Sequence, residues 1–108
     1  MNNISFQSVH FKASTHLEEF VTVKLSKILD QDSSIIRADV TLFEGASGNP
    51  RNRFCEIELS VPGDNLFIKK NSENYEKSIL AAVTALQQII HRKKKKHINK
   101  LKKHRETQ

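Results

Sequence analysis

Between His91 and Arg105 the chain carries nine lysine or arginine residues and no carboxylate. Cations this dense can neutralise phosphates and release the counterions condensed around them. The run is Arg92, Lys93, Lys94, Lys95, Lys96, Lys100, Lys102, Lys103 and Arg105. The other nine cations lie before His91 and meet eleven carboxylates there, so the formal charge of +6 is a local feature. A lysine run is commonly a solvated helix face or an exposed end. This one covers every side of a helical extension, which suits a groove with phosphates on several sides, and it encodes no sequence readout.

Other chemistry is thinly represented. His91, His97 and His104 are six and seven residues apart, unlike the i, i+4 spacing that sets two metal ligands on one helical face, and His10 and His16 fare no better. No metal site or cofactor is expected. There is no nucleophile elbow and no phosphate-cradling glycine pattern, with only three glycines in all, so no catalytic constellation and no small-molecule substrate are expected either. The single cysteine, Cys55, alternates with Ile57 and Leu59 and reads as a buried structural thiol in a reducing compartment. Phe43 and Phe67 could stack on bases, but both lie in strand patterns, where packing is the commoner role.

The elements that would position these groups follow from periodicity. At 108 residues the chain fits one domain around a single core. Ile4 and Phe6 alternate with polar neighbours in a strand over 3–9. Leu17, Phe20, Val21, Leu25, Ile28 and Leu29 form one apolar stripe of a helix over 15–30, with Thr15 and Glu18 matching a capping box. Ile36, Ala38, Val40 and Leu42 alternate in a strand over 35–43. Cys55, Ile57, Leu59 and Val61 do the same over 53–61, and Pro62-Gly63 turns the chain back through 66–70. These three strands read as an antiparallel meander, and the first two strands of the chain can pair in parallel across the helical crossover. A second helix starts at Ser72 or Glu73 with Ile79, Val83, Leu86 and Ile90 on its buried face.

Beyond Ile90 the stripe meets Lys93, Lys94 and His97. A charge cannot lie against the core without a large desolvation cost, so the helix leaves the domain body near residue 91. The expected architecture is an α+β two-layer sandwich in the order β-α-β-β-β-α, a four-stranded sheet with two helices packed on one face. Residues 1–90 form the core domain and 91–108 a basic extension of the second helix. No apolar run approaches a membrane span and the first residues lack a secretion signal, so a cytoplasmic protein is expected.

Lys24 and Lys27, three residues apart on the polar side of the first helix, could extend the cationic surface, though solubility alone would also explain them. Arg37, Arg51, Arg53, Lys69 and Lys70 are weaker candidates, because Glu56 and Glu58 oppose an anionic partner across the sheet face.

The stretch EFVTVKLSKI at 19–28, with Phe20, Lys24 and Lys27, resembles the first helix of the ribosome hibernation promoting factor family, also called ribosome-associated inhibitor, protein Y or sigma-54 modulation proteins. The resemblance spans almost the whole chain through ADVTL at 38–42, the VPG turn at 61–63, and a second helix that turns basic at Arg92. Departures occur at Asn74, Tyr75 and Glu76, where an Asp-Met-Tyr type start is usual, and at Gln88 and Ile89, where an Arg-Gln pair is usual. The resemblance implies a translation inhibitor of stationary or starved cells that docks on the small ribosomal subunit, in the channel otherwise used by messenger and transfer RNA. Lys24, Lys27, Arg92, Lys93, Lys94, Lys95, Lys96, Lys100, Lys102 and Lys103 are the expected RNA contacts. A general double-stranded RNA-binding module is the alternative, since a meander followed by a helix is similar to that class, but the extra first strand and the late position of the charge argue against it.

Overall fold

The computed structural model describes residues 3–106, with side chains through Arg92. Its elements are β1 (Ile4–Ser8), α1 (Thr15–Gln31), β2 (Arg37–Glu44), β3 (Arg53–Ser60), β4 (Leu66–Ser72) and α2 (Tyr75–Glu106). The sheet runs β1-β2-β3-β4. β1 pairs with β2 in parallel, placing Phe6 beside Val40, and the remaining pairs are antiparallel, with Leu42 opposite Cys55 and Ile57 opposite Ile68. A helical crossover is what a parallel pair requires, and α1 supplies it. The order and the α+β class are those expected from the sequence.

Alternation decides which face of the sheet is dry. Ala38, Val40 and Leu42 on β2, and Cys55, Ile57 and Leu59 on β3, are buried on one face. Leu17, Val21, Leu25 and Ile28 of α1 cover them together with Ile79, Ala82, Val83, Leu86 and Ile90 of α2, so both helices lie on the same side. Burying a side chain of this size contributes about 1.5–3 kcal/mol. The two helices run in the same direction: His16 Nε2 and Glu76 Oε1, near their N-terminal ends, are 3.8 Å apart. At the other end, the residues after α1 and Ile90 of α2 line one pocket.

Four details depart from the sequence reading. The N-cap of α1 is Ser14, whose hydroxyl accepts from the Leu17 N–H at 3.1 Å while its carbonyl accepts from the Glu18 N–H at 3.1 Å. The capping box at Thr15 and Glu18 is therefore one residue out of phase, because Thr15 is already inside the helix. Ile36 is 59 % exposed and Ile35 is buried in its place. The chain reaches β2 through a turn in which the Ile35 N–H donates to the Asp32 carbonyl, so strand alternation does not extend back to Ile36. The second helix begins at Tyr75, since Ser72 still pairs with Arg53 in the sheet and Asn74 provides the cap, accepting from the Lys77 N–H at 2.8 Å. Phe67 does not pack into the core; it stands on the outer sheet face and is 56 % exposed.

Candidate nucleic-acid interface

α2 is one continuous helix of 32 residues, about 48 Å long at 1.5 Å per residue. Among the described residues its burial ends at Ile90, and His91 and Arg92 are exposed. Lys93, Lys94, Lys95, Lys96, Lys100, Lys102 and Lys103 all fall within the helix, and their side chains lie outside the described residues.

Lys24 and Lys27 occupy the last two turns or so of α1, at the end of the helix layer from which the basic part of α2 continues. They differ in setting. Lys24 is half-buried with its Nζ 5.7 Å from the centroid of the Phe20 ring, a cation–π contact that orients the ammonium, while Lys27 is exposed.

Several cations of the meander are engaged within the protein. Arg37 Nη2 is 2.7 Å from Asp39 Oδ1, and Arg53 Nη1 is 2.9 Å from Glu44 Oε1 and 2.8 Å from Asn52 Oδ1. Lys77 pairs with Glu73 one helical turn earlier, and the hydrogen bond from that ammonium lowers the Glu73 pKa. Lys69 lies over an aromatic stack on the outer sheet face. Phe43 and Phe54 are parallel with centroids 4.9 Å apart, and the Lys69 Nζ is 5.9 and 5.4 Å from them. A Cβ at Gly45 would come within 2.5 Å of Phe54 Cε1, so this ring lies where only glycine leaves room.

Sequence reasoning missed this stack. The signal was present in register: once Leu42 faces Cys55, Phe43 must face Phe54 on the opposite side of the sheet. A second stack, Phe11 on Tyr75 at 4.9 Å, joins the segment after β1 to the start of α2, with Arg53 over the Tyr75 ring. Partial burial raises the Tyr75 pKa, and the Arg53 charge opposes that shift.

Cys55 is fully buried beneath the helices, as expected for a structural thiol. Burial, reinforced by the neighbouring Glu56 carboxylate, pushes its pKa up to about 12. The thiolate needed for nucleophilic chemistry is thereby suppressed. Among the described residues no three His, Cys, Asp or Glu side chains converge on a point that could hold a metal ion, and no helix is long and apolar enough to cross a membrane.

The sequence pattern of the sigma 54 modulation protein / S30EA ribosomal protein family matches residues 4–98. The chain belongs to this family. The match takes in every strand, α1 and α2 as far as residue 98, so the S30EA family covers the folded core and the first part of the lysine run. The resemblance found in the sequence is to the same family. Two solved structures share its fold. A ribosomal subunit interface protein from Coxiella burnetii has 16 % sequence identity, with 85 % of this chain and 97 % of that one covered at a TM-score of 0.74. The N-terminal domain of Protein Y from Thermus thermophilus has 20 % identity, with 85 % and 98 % covered at a TM-score of 0.70. A comparison with curated proteins returned no match.

Proposed function

We propose that the protein is a non-enzymatic inhibitor of translation that binds the small ribosomal subunit and occupies the channel of messenger and transfer RNA. The observation that carries this reading is that α2 runs on as a single helix past Ile90, with the cationic sequence beginning at Arg92. A helix anchored by its first four turns and continued by lysines is a rigid cationic arm on a folded wedge. Membership of the S30EA family supports a ribosome as the partner, and the description of the Coxiella relative as a subunit interface protein supports a site between subunits.

The mechanism is exclusion. Arg92, Lys93, Lys94, Lys95, Lys96, Lys100, Lys102 and Lys103 neutralise ribosomal RNA phosphates, Lys24 and Lys27 extend that surface, and the body fills space that substrates need. Phosphate contacts position the wedge while the shape of the folded RNA supplies specificity. Such a factor acts in the cytoplasm, under starvation or in stationary phase, and needs no cofactor.

Co-sedimentation with purified small subunits, large subunits and free duplex RNA tests the reading. Selective binding to small subunits is the expected result, and inhibition of cell-free translation should saturate when protein and ribosomes are equimolar. Equal binding to free duplex RNA would instead indicate a general double-stranded RNA-binding module. Inactivation of many ribosomes by trace protein would indicate catalysis.

A further inference from the structure

At the foot of the basic helix lies a pocket of about 170 Å³, formed where the segment after α1, the β3–β4 turn and α2 meet. Five of the seven residues that line it are apolar: Ile35 and Ile90 are buried, Val61 and Leu66 half-buried, and Pro62 is exposed at the turn. Ile36, next to Ile35 in the chain, adds exposed apolar surface at the same end. The lip is polar. The Ser34 N–H and hydroxyl both donate to Asp32 Oδ1, at 3.0 and 2.6 Å, and these two bonds orient the carboxylate beside the opening.

Position distinguishes this pocket from the hollows at Glu18 and Glu19 and at Glu76, which lie at the N-terminal ends of the helices, away from the arm. Here Ile90 forms part of the wall and Arg92 is exposed two residues later, where the cationic run begins. A partner held by this arm is a polyanion, and the group it presents to an adjacent pocket of mixed lining must be compact, with apolar faces and polar edges. Folded RNA offers that combination in bases that have left the stack, each carried on a chain of phosphates.

We propose that this pocket takes one unstacked nucleobase of structured ribosomal RNA, seated between Pro62, Leu66 and Ile90 while the arm holds the flanking phosphates. The inference rests on the RNA-binding reading above. The arm gives binding strength without regard to sequence, and the pocket adds a fixed register, because a single seated base locks the arm to one nucleotide.

The probe is an RNA hairpin with one bulged guanosine, compared with the same hairpin carrying an abasic sugar at the bulge. Both have the same phosphates, so the arm contributes equally to each. The bulged base should bind about tenfold more tightly, a difference of about 1.4 kcal/mol. Ser34→Trp fills the mouth from an exposed position and should abolish the preference while leaving the dependence of affinity on salt unchanged. A bulged 2-aminopurine, bound to the unaltered protein, should change its fluorescence on seating, a readout that does not depend on a variant folding.

Equal affinity for base-bearing and abasic hairpins, with a steep salt dependence for both, would overturn the pocket proposal and leave the ribosome reading standing. Tighter binding of a linear strand of the same length than of the bulged hairpin would overturn the assignment to structured RNA. Failure to bind any of these RNAs or small subunits would overturn both.

Discussion

The hydroxyls of Ser72 and Ser78 lie 2.9 Å apart, closing the junction between the end of β4 and the first turn of α2. Ser78 donates to the Arg53 carbonyl at 2.5 Å and accepts from the Ser72 hydroxyl, so three segments are tied by two small buried side chains. Ser78→Ala leaves the Arg53 carbonyl without this donor and should cost about 1–3 kcal/mol. Thermal unfolding is the measurement, with a fall of about 4–8 °C per kcal/mol for a domain of this size. A melting temperature within about a degree of the parent would show that water replaces the network.

The helix caps give a paired test. Ser14→Ala removes the side-chain acceptor of the Leu17 N–H and should lower stability by about 1 kcal/mol. Thr15→Ala, one residue further on and already helical, should stay within about 0.5 kcal/mol of the parent. Urea denaturation of the two variants side by side separates a Ser14 cap from the capping box that the sequence suggested.

Cys55 predicts a pH dependence whose sign follows from burial. Its pKa rises from 9.0 to about 12 in the folded chain, so above pH 9 the unfolded chain loses this proton while the native state keeps it. Stability is full below about pH 9 and falls between 9 and 12, by up to about 1.4 kcal/mol per unit. Cys55→Ala, although destabilised at neutral pH by removal of the sulfur, should lack this slope. Urea unfolding at pH 8 and pH 10 checks it, and parallel declines in both proteins would contradict the assignment.

Replacing Lys93, Lys94, Lys95 and Lys96 together by glutamine should leave the melting temperature nearly unchanged, because among the described residues the buried stripe of α2 ends at Ile90. Affinity for small subunits should drop sharply, and each phosphate no longer neutralised should flatten the slope of log affinity against log salt by somewhat under about one unit. Unchanged affinity and slope would reduce the lysine run to a solvated face.

Most of the architecture was legible because two periods carry it. Alternation marked β2 and β3, and the three-four spacing marked both helices, since one dry sheet face and two apolar stripes account for the core apart from Ile35, which is buried from the turn before β2. What was missed lies where those periods stop. Ser14 and Thr15 are both good caps by type, and only the backbone tells which hydroxyl stands outside the first turn. Ser72 looked like a helix start because its role, pairing with Arg53 across the sheet, is set by a residue far away in the chain. Phe67 looked like core because its position in the pleat depends on register with Glu58, which composition does not reveal. The charge of the arm could be read directly. The pocket beside it could not, because its walls come from three separated segments.

The core layout also constrains how the chain matures during synthesis. α2 lies against β3 and β4 and supplies Ile79, Ala82, Val83, Leu86 and Ile90 to the core, so a nascent chain lacking it leaves part of the sheet's apolar face wet. Chains are made from the N-terminus at about 5–20 residues per second. The lysines are therefore added only after every core residue, and the arm cannot precede the body it arms. A product truncated before residue 79 would have no cationic run and an exposed apolar sheet, a species for proteolysis rather than a premature inhibitor.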